Sequence, residues 1–130
     1  MSAVVDTPRA KTRPHDSHNP HDVMQQAHDV AEIAANNEGT DLYWGILSLI
    51  EKAIEKVERA HSALSVDAYS KELHDKASDE LAGLLGVLNA VNTDVKDDGL
   101  LHAVETLVIV AKAQIDADNF QAVRASQVAA

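Results

Sequence analysis

An all-α fold is what this sequence predicts, and three observations predict it. All three prolines, Pro8, Pro14 and Pro20, lie in the first twenty residues. Proline costs about 3 kcal/mol inside a helix, and nothing from His21 to Ala130 interrupts a helix that way. That long stretch is filled with Ala, Leu, Glu and Lys, which lose little on entering a helix, and its apolar residues recur at spacings of three and four. The expected architecture is a bundle of four to five helices, readable as two helical hairpins, behind a disordered N-terminal arm.

Each element has its own signal. Residues 1–18, rich in Pro, Ser, Thr, His and charge, cannot bury enough apolar area to offset ordering entropy, and they form the arm. Asn19 caps a first helix with Pro20 at its first position; Val23, Ala27, Val30, Ala31 and Ala34 run to a stop at Asn36-Asn37-Glu38-Gly39. Thr40 or Asp41 caps a second helix, in which Tyr43, Leu47, Ile50, Ile54, Val57, His61 and Leu64 form a seam of coiled-coil type. Ser65 or Asp67 starts a third, to about Asn92, along Tyr69, Leu73, Ala77, Leu81, Leu84, Leu88 and Val91, with Ser78-Asp79 as a place to kink. Asp97 or Asp98 opens a fourth, Leu100 to about Ile115, whose run Leu107-Val108-Ile109-Val110-Ala111 is apolar on nearly every side. Phe120 to Val128 supplies the optional fifth.

At 130 residues and 14.0 kDa the chain suits one domain, residues 19–130, able to bury roughly two-thirds of its surface. A weak internal likeness, Asp22-Val23-Met24 against Asp79-Glu80-Leu81, is of the kind that Leu- and Ala-rich helices produce by chance.

The net charge of −10 is unevenly placed. Residues 1–21 hold three basic groups against two acidic ones, so the rest of the chain carries 19 carboxylates against 8 basic groups. Such a surface repels phosphate, which disfavours direct binding to nucleic acid or an anionic membrane, and it permits basic partners. No apolar run approaches a membrane span, and the first residues lack the apolar core of a secretory signal, so the expected location is cytoplasmic. The absence of cysteine removes thiolate metal sites and thiol nucleophiles.

Seven histidines are the only residues that invite metal or proton chemistry. His15, His18 and His21 stand three apart beside Asp16 and Asp22, a ligand set that suits zinc, nickel or copper, but Pro20 interrupts any one helix through them and no outer group orients the rings. Glu58-Arg59-Ala60-His61 is a single copy of an element that di-iron bundles use twice. Its two side chains diverge, because His61 lies on the apolar seam and Glu58 on the polar side; His61 is expected to donate a hydrogen bond at the core edge. His74 and His102 lack the lysine and glycine that follow a phosphoacceptor histidine. No nucleophile elbow, phosphate loop or glycine-rich nucleotide turn occurs. Neither a catalytic residue nor a cofactor is expected, and no metal.

Two surfaces invite partners. Helical steps from Trp44, the only tryptophan, reach Ser48, Glu51, Glu55, Glu58 and Ser62, so an aromatic group heads an acidic ridge that fits a basic protein. Helix three carries a small-residue face, Ala82, Gly83, Gly86 and Ala90, beside the all-round apolar fourth helix; Gly83, Gly86 and Val108 are the residues expected at a homodimer interface. The leading function is a non-catalytic helical interaction or regulatory module that self-associates and offers an acidic surface to a protein. The alternative is an acidic inhibitor or immunity-type protein seated on a basic site of an enzyme or nucleic-acid-binding machine, and a metal-binding bundle stands third.

Overall fold

The computed structural model describes residues 19–94 and 99–129. Four helices, α1 (Pro20–Glu38), α2 (Asp41–Ser65), α3 (Lys71–Asp94) and α4 (Gly99–Ala129), pack in a ring: α1 against α2, α2 against α3, α3 against α4, and α4 against α1. Neighbours run antiparallel, so this is an up-down-up-down four-helix bundle without strands among the described residues. The expected N-terminal arm lies outside the described residues, as do Asp97 and Asp98.

Local chemistry sets the ends. The Asn19 Oδ1 accepts from the amides of His21 (2.9 Å) and Asp22 (3.5 Å), filling the orphan donors of the first turn of α1, with Pro20 where its missing N–H costs nothing. Gly39 closes α1 in the left-handed region (φ 67°), its N–H bonded to the Ala35 carbonyl at 2.7 Å.

The third helix begins later than Ser65 or Asp67. The chain first leaves α2 through a Schellman turn in which Ala68 N–H reaches the Ala63 carbonyl (2.8 Å) and Asp67 N–H reaches that of Leu64 (3.1 Å). Asp67 takes the left-handed position (φ 61°) that glycine commonly fills, which is why no glycine marks the turn. Ser70 then caps α3, its Oγ accepting from Leu73 N–H at 3.2 Å. Tyr69 therefore precedes α3 instead of sitting on its seam. Ser78 introduces no break; α3 is continuous through it.

The separate fifth helix does not form. Residues 120–128 continue α4, since Asp116-Ala117-Asp118-Asn119 contains neither Gly nor Pro to stop it. At 31 residues α4 is the longest helix, yet no helix among the described residues is long and apolar enough to cross a membrane.

One core runs the length of the ring. Met24, Ile46, Ile50, Leu81, Leu88, Leu101 and Ile115 are its largest fully buried apolar side chains, each worth roughly 1.5–3 kcal/mol relative to exposure. The contribution of α1 is mostly small, Ala27, Ala31, Ala34 and Ala35 beside Val23 and Met24. Asn92 and His74 are the buried polar residues among those described, and Asn92 Nδ2 donates to the Leu101 carbonyl (3.2 Å) and to Glu105 (2.9 Å), tying α3 to α4.

Candidate functional site

The two hairpins present different surfaces. On α1 and α2 the exposed positions include Asp22, Asp29, Glu32, Glu38, Asp41, Glu51, Glu55 and Glu58, against exposed Lys52 and Arg59. The ridge read from the sequence is intact on this side: Trp44, Ser48, Glu51, Glu55, Glu58 and Ser62 all face solvent. Trp44 is 41% exposed, and two further apolar residues near the α1–α2 turn, Ile33 and Leu42, are about half exposed. Glu51 accepts from His28 Nε2 at 3.0 Å, which ties the ridge to α1, and Glu55 lies 3.9 Å from Arg59.

On α3 and α4 the exposed positions between Leu81 and Thr93, and between Gly99 and Phe120, hold no Asp, Glu, Lys or Arg. The charged side chains of that part of α4, Glu105, Lys112, Asp116 and Asp118, are half-buried, and all four are bonded: Glu105 to Asn92, Asp116 to Ser78 (2.6 Å) and Lys112 (2.8 Å), and Asp118 to Gln114 (2.9 Å). Gly83 and Gly86 are exposed, with open space where a Cβ would stand. Val108 requires a correction: it is completely buried inside this one chain and cannot meet a partner. The outward residues of that apolar run are Ile109 (51% exposed) and Val110 (36%). The register set by Asn92–Glu105 and Ser78–Asp116 brings Ile109 of α4 to about the level of Gly86 of α3 along the bundle.

The histidines divide by position. His15 and His18 lie outside the described residues. His21 is half-buried in the first turn of α1, its Nδ1 3.9 Å from Asp22. The described grouping with metal-ligand spacing is a different one, His28, Asp29 and Glu32, whose ligand atoms fall within 4.8 Å of one another. Sequence reasoning passed over it, although the i, i+4 pair His28 and Glu32 was legible. It is an open surface cluster in which His28 Nε2 already bonds Glu51.

The other polar concentration lies where α1 and α3 begin and α2 ends. Tyr69 donates from its hydroxyl to Asn119 Oδ1, and Asn119 Nδ2 donates to Asp75 (3.0 Å), so the α2–α3 turn is tied to α4. Lys71 donates to Asp75 at 2.7 Å, and this bond holds the Asp75 carboxyl below its ordinary range. His74 is fully buried; its Nδ1 lies 3.2 Å from the Ser70 carbonyl, to which it donates, and its Nε2 has no partner. His61 is half-buried, and here the expectation is reversed: its Nε2 accepts from Asn19 Nδ2 at 2.9 Å, while Nδ1 is buried without a partner. Burial pushes the His61 imidazole below its ordinary pKa, opposed by Asp118 and Asp22 and aided by His21 and His74. Comparison with protein-family models, with curated proteins and with solved structures finds no match to the chain.

Proposed function

We propose that the chain is a cytoplasmic, non-catalytic interaction module that works through two faces. The acidic ridge of α2, headed by Trp44, receives a basic protein partner, and the uncharged face of α3 and α4 receives a second copy of the chain. The observation that carries this reading is the contrast between the exposed carboxylates of α1 and α2 and the exposed positions between Leu81 and Thr93 and between Gly99 and Phe120, which hold no Asp, Glu, Lys or Arg. A chain of net charge −10 repels its own copies wherever carboxylates face outward, so the α3–α4 face is where two copies approach at least cost. Exposed Val87, Ile109 and Val110 supply apolar area there, and the open Gly83 and Gly86 positions admit them. Across the bundle, an exposed tryptophan beside clustered carboxylates supplies an anchor and a steering field.

Sedimentation equilibrium and partner capture test the two faces separately. Gly86→Leu fills open space in the single chain, so it leaves the melting temperature near that of the parent and removes self-association by blocking close approach. The pair Glu51→Lys and Glu55→Lys leaves self-association intact and abolishes salt-sensitive capture of a basic partner. A parent protein that sediments as a monomer at tens of micromolar sinks the first face; capture that survives the charge reversal sinks the second.

A further inference from the structure

The contact between Asn19 and His61 contains a choice that one proton can force. The amide oxygen of Asn19 is occupied by the backbone N–H groups of His21 and Asp22, which fixes which way the amide points. The amide nitrogen is left facing His61 Nε2 at 2.9 Å. An amide NH2 can only donate, so Nε2 accepts; the imidazole is neutral and carries its proton on Nδ1. That nitrogen is buried without a partner, so nothing there awaits a positive charge.

A second proton must go on Nε2, and it sets donor against donor. Rotating the Asn19 amide restores a bond to His61 but turns the NH2 toward the His21 and Asp22 amides, which removes the cap. Either the cap of α1 or its tie to α2 is lost. The elements around His61 do not rescue the charged form. From α1, Asp22 favours it and His21 opposes it; from α3, the buried His74 opposes it; from α4, Asp118 favours it; on α2 itself Glu58, one turn back, faces solvent. Burial outweighs the two carboxylates. The helix at stake buries mostly small side chains, with four alanines among its seven buried residues.

We propose that Asn19 and His61 form a proton-sensitive latch that holds the first turn of α1 against the end of α2 at neutral pH and releases it on acidification. Release is local: the α3–α4 contacts through Asn92, Ser78 and Asn119 share no group with the latch.

Nitrogen-detected NMR of the full chain reads the tautomer, and hydrogen exchange, corrected for intrinsic rates, reads the first turn. The expected result is a His61 proton on Nδ1 at pH 7.5, and protection of the amides of residues 21–24 that falls roughly two- to tenfold by pH 5, the range one hydrogen bond spans. Amides in the middle of α3 and α4 hold. His61→Gln keeps an acceptor for Asn19 that does not titrate, so the fall disappears. Asn19→Asp keeps the cap but replaces the donor with a carboxylate, so the His61 pKa rises and protection of the first turn grows on acidification. A proton found on Nε2 at neutral pH overturns the latch, and so does a fall that persists unchanged in His61→Gln or keeps its sign in Asn19→Asp.

Discussion

The α1–α2 hairpin and the α3–α4 hairpin share one core and differ in what they show to solvent. The first spends its outward positions on carboxylates and its inward ones, in α1, on alanine. The second, from Leu81 to Thr93 and from Gly99 to Phe120, keeps its charges half-buried in bonds and leaves glycine, alanine, valine and isoleucine outside, its exposed charges lying at the start and end of α3 and near the end of α4. The buried faces cannot explain the difference, because both hairpins bury apolar residues at the same spacing. It lies in the outward positions, where packing exerts little demand and composition is free to serve solubility or recognition. One bundle thus carries a face that repels copies of itself and a face that does not.

The sharpest way to break this comparison is to place the same charge on neighbouring sides of α4. Val108→Glu buries an unpaired carboxylate among core side chains and should cost about 4 kcal/mol or more, read as loss of the cooperative helical melt. Val110→Glu, two residues on, should change the stability of the single chain by no more than about 0.5 kcal/mol while abolishing self-association by sedimentation. If both unfold the protein alike, the outer face of α4 is not a surface.

Trp44→Ala probes the other hairpin. A fully buried aromatic truncated to alanine costs about 3–5 kcal/mol, and a tryptophan 41% exposed should cost about 1–2 kcal/mol in urea unfolding. A loss of the full size places Trp44 in the core and removes the anchor of the acidic face.

Acidity should act on the first hairpin before the second. The folded-state pKa of His61 lies below its ordinary value of 6.5, so above that pH both folded and unfolded chains hold the ring neutral and its contribution is complete. As pH falls below 6.5 the unfolded chain takes up a proton that the folded chain refuses, and stability declines until the lowered folded pKa is passed. Urea midpoints measured from pH 8 to pH 5 should therefore fall, and His61→Gln should flatten that part of the profile.

The smallest effect expected is a gain. Gly83→Ala and Gly86→Ala put a methyl group into open space on exposed helix interior, and each should add about 0.5–1 kcal/mol through helix propensity. A loss at either position in dilute protein contradicts the open geometry.

Much of this architecture is local and was legible in the sequence. The placement of Pro20, the Asn19 cap, the glycine at position 39 and apolar spacings of three and four set four helices, and the same periodicity put Trp44, Glu51, Glu55 and Glu58 on one outward line. These features act through bonds between residues at most four or five apart, so the chain alone determines them. Tertiary structure decided the rest. On a helix apolar all round, whether Val108 or Val110 turns inward depends on which neighbours close the ring, and no spacing within α4 contains that information. The late start of α3 rests on Asp67 holding a left-handed conformation without the glycine that would announce it. Asn19 and His61 stand 42 residues apart, and the direction of the hydrogen bond between them follows from a cap on one helix meeting the end of another.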